Sequence, residues 1–256
     1  MVEWKSATYA RRHEIIDDLM LQTKQCVDFI GGKAMLAGLC QGGWQAAGFA
    51  ARFPEMVDGL IIAGAPIDTK ADGGKIQDAV NTHPFSFYEW LVSLGGGLYR
   101  GEIQLFSFKM MNAVDRFFSD YVDLYQNIND AAYIERYRTF RDWYEYTQNI
   151  SGDLYLQIVK DLFMENKLYN GDLTLLARRV KLRDIHCPVV LLAGKKDDIT
   201  LANQVFNMEK KISSSKILKL LIDAGHIGLF MGKKALSDYW PTALNFLFRG
   251  KMCLTM

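Results

Sequence analysis

The chain has 256 residues, half of them hydrophobic, and 30 basic against 29 acidic side chains give a formal charge of +1. That size and mix fit one globular core with room for an inserted subdomain, and the near-neutral balance excludes a protein built mainly to grip nucleic acid, which needs a clustered basic face. Four cysteines (Cys26, Cys40, Cys187 and Cys253) follow no zinc spacing and are too sparse for a disulfide scaffold, and no apolar run approaches the roughly 20 residues that span a bilayer. The first residues carry Glu3 and Lys5 where a signal peptide would be apolar. We therefore expect a reduced, cytoplasmic protein with no metal and no cofactor.

Residues 7–30 place Ile15, Ile16, Leu19, Met20, Val27 and Ile30 at helical spacing and stop at Gly31-Gly32. The apolar run 33–37 predicts a strand, and 43–51 (Gly-Trp-Gln-Ala-Ala-Gly-Phe-Ala-Ala) predicts a helix. Between them lies Gly38-Leu39-Cys40-Gln41-Gly42. Strand, tight turn and helix around a nucleophile framed by glycines is the setting of the G-x-S-x-G elbow, here with cysteine in place of serine. The glycines are expected where the flanking backbones pass too close for a Cβ. The start of the following helix would favour the thiolate.

Residues 58–66 form a continuous apolar run, the pattern of a strand buried on both faces. From 67 to 184 the chain is helical in character and holds most aromatics, among them Phe85, Trp90, Phe117, Phe118, Trp143 and Tyr155. These read either as helix packing or as a lid meeting an apolar substrate. A buried strand returns at 187–194, a helix is expected around 201–212, a last strand at 216–222, and a closing helix over 235–247. Strands alternating with helices predict a mainly parallel sheet covered on both faces. We expect the core in residues 1–66 and 185–256, with 67–184 as an inserted helical lid.

Two further segments leave the carboxyl ends of predicted strands, where open parallel sheets carry their sites. One is Gly194-Lys195-Lys196-Asp197-Asp198, the other Asp223-Ala224-Gly225-His226-Ile227-Gly228. Cys40, Asp197 and His226 are thus candidates for a nucleophile, acid and base in the chain order of α/β-hydrolases. Asp197 and Asp198 also read as turn formers or helix caps, and Asp197 is favoured as the acid. A lone cysteine at a strand end can equally be a small buried hydrophobe. His13, His83, His186, Cys26, Cys187 and Cys253 are read as structural or surface residues.

The chain resembles the enzymes of polyhydroxyalkanoate metabolism. Residues 64–69 (Gly-Ala-Pro-Ile-Asp-Thr), 153–163, 194–199 and 224–230 are similar to stretches of intracellular polyhydroxybutyrate depolymerases. Gly42-Gly43-Trp44 looks more like the polyhydroxyalkanoate synthases. The resemblance implies an α/β-hydrolase fold with Cys40 as nucleophile, Asp197 as acid and His226 as base. It implies a polyester or hydroxyacyl-thioester substrate and cytoplasmic location. The reading that follows is hydrolysis of 3-hydroxybutyrate esters through a thioester, with the Gln41 N–H at the oxyanion. A synthase-like acyltransferase using hydroxyacyl-CoA and a catalytically impaired granule-binding paralogue are the alternatives, and a generic lipase-like hydrolase rests on fold logic only.

One expectation departs from the family. Only a helix is predicted before Lys33, so the usual strands ahead of the elbow, and the loop that supplies a second oxyanion N–H, have no visible source. The elbow strand would then form a sheet edge, which natural proteins cover. A longer parent chain, a shortened paralogue, or a homo-oligomer or partner covering that edge would each answer this.

Overall fold

A computed structural model of the protein describes residues 3–111 and 120–252; Phe117, Phe118 and Cys253 lie outside the described residues. The strands in chain order are β1 (Ala34–Leu39), β2 (Val57–Ala63), β3 (Leu98–Tyr99), β4 (Ile150–Ser151), β5 (Thr174–Leu175), β6 (Arg178–Arg179), β7 (Val189–Gly194) and β8 (Ile217–Ile222). Four of them form the main sheet in the order β1-β2-β7-β8, with every neighbouring pair parallel.

The helices that matter first are α1 (Ile16–Phe29) and α2 (Gln41–Arg52). A crossover through α2 joins β1 to β2, as a parallel pair requires. The central strands β2 and β7 read Val-Asp-Gly-Leu-Ile-Ile-Ala and Val-Val-Leu-Leu-Ala-Gly, and all their residues but Asp58 are buried. That is the continuous apolar pattern of strands covered on both faces. One face carries Ile61, Ala63, Val190 and Leu192, packed with Ile222, Leu229, Ala243 and Leu247. The edges are more open: Leu39 on β1 is 41% exposed and Leu221 on β8 is 49% exposed.

The mainly parallel sheet expected from the alternation of strands and helices is the one observed, with adjustments at element ends. The helix expected over 7–30 begins only at Ile16, because the Asp18 carboxylate accepts the Ile15 N–H and fixes the first turn there. The closing helix starts as a π-helical turn (Ala235–Tyr239) before α12, Trp240–Met252, takes over.

The segment after β2 is mostly helical, as its pattern suggests, and runs through α3 (Lys75–Thr82), α4 (Phe85–Leu94), α5 (Gly101–Met111), α6 (Asp120–Gln126), α7 (Ala131–Tyr144), α8 (Gly152–Gln157) and α9 (Lys167–Asn170). It also holds two antiparallel pairs of two-residue strands, β3 with β4 and β5 with β6, which were not expected. The chain falls into two compact units. One comprises Met1–Glu14 with Phe85–Leu156, the other Ile15–Pro84 with Gln157–Met256. Within the first, the Tyr99 and Tyr155 rings stack at 3.7 Å and 4°, and the Ser151 hydroxyl donates to the Arg12 carbonyl at 2.6 Å. The second holds the main sheet and all the candidate site residues.

Candidate active site

Cys40 stands at the junction of β1 and α2 with φ 49° and ψ −117°. A non-glycine residue at positive φ is strained by about 1–3 kcal/mol and persists only where its surroundings impose it. They do so here. Its amide donates to the Ala63 carbonyl at 3.0 Å and its carbonyl accepts the Gly43 N–H at 2.9 Å, so the turn is tied to β2 and to α2 at once. The Cys40 side chain is half-buried.

The glycines around it do not share one job. A Cβ on Gly38 would lie 2.3 Å from the Gly42 carbonyl oxygen and 2.6 Å from Gly43 Cα. A Cβ on Gly43 would lie 2.1 Å from the Ala65 Cβ, whereas one on Gly42 would meet nothing within 4 Å. The close approach expected at Gly38 and Gly42 is therefore found at Gly38 and Gly43. The reason is geometric: residue 43 faces the loop after β2, and residue 42 faces open space.

Asp197 follows β7 and is buried, and its carboxylate divides its work. Oδ1 accepts the N–H groups of Ile199 (3.0 Å) and Thr200 (2.9 Å), and Oδ2 accepts the Nδ1–H of His226 at 2.8 Å. Turn former and acid-like partner, the two readings open from sequence, are thus combined in one side chain. Asp198 points elsewhere and pairs with Lys75 at 2.5 Å. Gly194 makes the approach possible, since a Cβ there would lie 2.5 Å from the Ala224 carbonyl oxygen.

His226 follows β8. Phe230 meets its ring edge-on at 5.4 Å, and Gly64 (φ +52°) leaves room beside it, where a Cβ would come 3.3 Å from His226 Cε1. Burial works against the imidazolium, but hydrogen bonding and charge from Asp197 and Cys40 outweigh it and raise the His226 pKa to about 10. With Nδ1 taken by Asp197, the other ring nitrogen is left for the thiol. Cys40, Asp197 and His226 therefore come together from three separate strand ends. Such a set can move a proton between sulfur and imidazole and hold the resulting ion pair.

Gln41 opens α2, where the first N–H groups have no partner within the helix. Its side-chain carbonyl accepts the Trp44 indole N–H one turn further along the helix. The remaining candidates stay apart. His13 pairs with Asp153 at 2.9 Å, and His83 lies against its own helix through the Ala79 carbonyl. Burial pushes the Cys187 thiol up to about 11, which keeps it inert. No group of three metal-ligating side chains and no helix long and apolar enough to cross a membrane occurs among the described residues. Sequence reasoning named Gly43, Gly64 and Ala65 only within predicted elements and the family resemblance and gave them no place at the site. Their signal was adjacency, one glycine directly beside the elbow and one at a strand end.

Comparison with known proteins gives the same architecture. The family model described as "Protein of unknown function (DUF3141)" matches residues 26–232. The "Poly(3-hydroxyalkanoate) polymerase subunit PhaC" of Haloferax mediterranei is 24% identical over 254 residues, which cover 96% of this chain and 51% of that protein. The subunit of the same name from Allochromatium vinosum is 24% identical over 253 residues, covering 96% of this chain and 70% of that one. The chain thus spans about half the length of the Haloferax relative. Among solved structures, a monoacylglycerol lipase of Paleococcus ferrophilus superposes with a TM-score of 0.55 at 16% identity, over 92% of this chain and 76% of the lipase. An epoxide hydrolase of Bacillus megaterium superposes with a TM-score of 0.51 at 16% identity, over 90% and 76%. These likenesses show the α/β-hydrolase fold.

Proposed function

This chain belongs to the DUF3141 family, and from that premise we propose that it is a polyhydroxyalkanoate-synthase-like acyltransferase working through a thioester on Cys40. The observation that carries the reading is the Asp197–His226 hydrogen bond of 2.8 Å beside a cysteine held at φ 49°. The relatives named above are polymerase subunits, which favours transfer to a hydroxyl over the hydrolysis expected from sequence.

In this mechanism His226 holds the thiol proton and leaves Cys40 as thiolate, while Asp197 fixes the imidazole tautomer. The sulfur attacks the carbonyl of a hydroxyacyl thioester. The Gln41 N–H receives the oxyanion, and collapse breaks the bond to the leaving thiol, which takes the proton from His226. The hydroxyl of a growing chain then attacks the acyl-Cys40, giving its proton to His226, and the new ester departs as the thiolate is restored. Water in place of that hydroxyl would turn the same steps into hydrolysis.

A second reading is the catalytically impaired paralogue. Among the described residues β1 pairs with β2 alone, and loss of one oxyanion donor costs about 10²–10³ in rate. A second copy or a partner along that edge would supply one.

Both readings meet in one experiment. The protein is incubated with 3-hydroxybutyryl-CoA, and intact mass, CoA release and oligomer length are followed. Acylation of wild type, absent in Cys40→Ala, with CoA release and chain growth is the expected result. CoA release matched by free acid moves the assignment to hydrolysis, and an unmodified Cys40 refutes catalysis.

A further inference from the structure

Nine consecutive residues from Ile61 to Thr69 are buried, well past the end of β2. Gly64 and Ala65 in that run touch the site directly. Gly64 lies against His226, and Ala65 fills the space that Gly43 leaves. Nothing in those two small side chains fixes their place. The Gly64 N–H donates to the Leu192 carbonyl at 2.9 Å, and the far side of the loop is anchored three and four residues beyond Ala65.

Asp68 is 7% exposed, Thr69 1% and Asn166 4%. The Asp68 carboxylate accepts the Asn166 side-chain N–H at Oδ1 (2.9 Å) and that of Asn207 at Oδ2 (2.7 Å). Its backbone N–H donates to the Gln204 carbonyl at 2.9 Å. The Thr69 N–H donates to Asn166 Oδ1 (3.2 Å), and the Thr69 hydroxyl donates to the Leu162 carbonyl at 2.7 Å, inside the π-helical stretch Ile158–Met164. Asn166 is held at φ +53°, a conformation asparagine tolerates better than most residues. The loop after β2 is thereby pinned to two separate stretches of chain, 162–166 and 204–207.

A buried carboxylate with no cation on it is costly unless neutral donors satisfy it. Two amides do so, and both must be oriented to donate. The arrangement is geometrically demanding, and a chain selected only for stability has cheaper apolar solutions. Its output end is the pair Gly64-Ala65, which spaces His226 from α2 and so from Cys40.

We infer that Asp68, with Asn166 and Asn207, is a positioning device that sets the distance between the Cys40 sulfur and the His226 imidazole. The inference rests on the reactive-cysteine reading above. Asp68 touches neither reacting atom and acts through Gly64 and Ala65.

The test reads Cys40 alone. Iodoacetamide labelling of Cys40 is followed by mass spectrometry from pH 5 to pH 10, with thermal melts run beside it. In Asp68→Asn an N–H group faces donors, so the loop shifts. A displacement near 1 Å can cost up to ~10²-fold in a geometry-dependent step, and the labelling rate at pH 7 should fall about tenfold with the profile displaced. The double variant Asp68→Asn with Asn166→Asp exchanges amide and carboxylate and keeps every donor matched to an acceptor, so it should restore the wild-type profile. A merely structural role would lower the melting temperature and leave the profile of the folded variant superimposed on wild type, which overturns the inference. If Asp68→Asn does not fold, the half-buried partner gives the answer through Asn207→Ala: a displaced profile supports the inference and an unmoved one overturns it. Failure of the acyltransferase reading is separate, because it appears as wild-type Cys40 that labels normally yet takes no acyl group from the thioester.

Discussion

Substituting alanine at Gly38 and at Gly42 should have opposite results, although both glycines frame the same cysteine. At Gly38 the new methyl would stand 2.3 Å from the Gly42 carbonyl oxygen and 2.7 Å from the Gly42 carbonyl carbon. Ordinary contact begins near 3.4 Å, so the overlap is about 1 Å and both obstacles are backbone. No rotamer can relieve it. Either β1 or the first turn of α2 must move, and the two are linked by the Cys40 hydrogen bonds to Ala63 and Gly43. Overpacking of this kind costs about 1–3 kcal/mol where side chains can adjust, and the upper end or beyond applies here. At Gly42 the methyl meets nothing within 4 Å. That position is the second residue of α2, where alanine exceeds glycine in helix propensity by up to about 1 kcal/mol.

Converted to melting temperature at about 2–4 °C per kcal/mol for a chain of this size, Gly38→Ala should fall by roughly 6–12 °C. Gly42→Ala should hold or rise by a few degrees. Circular dichroism melts of the three proteins, with Cys40 labelling by iodoacetamide at pH 7, make the comparison. Gly38→Ala should also label more slowly, because the displaced turn moves the sulfur from His226. Equal melting temperatures for the two variants, or a larger loss at Gly42, would refute the reasoning.

Three further outcomes follow, two at His226 and one in the β5–β6 turn. His226 should remain charged at pH 8 in an NMR titration and titrate lower in Cys40→Ala, and a midpoint near 6.5 in wild type would sink the coupling. Because the folded pKa of about 10 lies above the 6.5 of an ordinary histidine, the stability this pairing contributes is complete below about pH 6.5 and lost as pH rises through about 10. In the turn between β5 and β6, Ala177 sits at φ 59°. Ala177→Gly should therefore stabilise by about 0.5–1 kcal/mol in denaturant melts, and a destabilised variant would contradict the backbone reading.

Much of the fold was legible because burial writes itself directly into composition. β2 and β7 are apolar at nearly every position, and glycine or proline stands close to each, so their ends fell within three residues of the expectation, β2 stopping at Ala63 rather than at 66. The hairpin of β5 and β6 was illegible for the opposite reason. Its turn carries Leu176 and Ala177 at φ 50° and 59°, where glycine or asparagine would have announced it. Packing around the buried Leu175 overrides a local preference that both residues violate. The antiparallel pair of β3 and β4 is hidden by distance, since Leu98 and Ser151 are joined across a long helical stretch and nothing local marks either.

The site divides along the same line. Cys40, Asp197 and His226 could be picked out because each follows a strand of the main sheet, and a parallel sheet must gather such strand ends on one side. The supporting residues could not, because their contacts depend on how far apart the backbones lie. The space that Gly43 leaves is filled by Ala65, and the Asp68 carboxylate is met by Asn166 and Asn207, partners 98 and 139 residues away. Nothing in the run Gly-Ala-Pro-Ile-Asp-Thr says that its aspartate is buried. Yet that run is where the elbow, the histidine loop and the π-helical segment meet. On the positioning proposal, reactivity at Cys40 depends on residues that never approach the sulfur, and variants at Asp68 and Gly43 should be more informative than a further survey of the three strand-end residues.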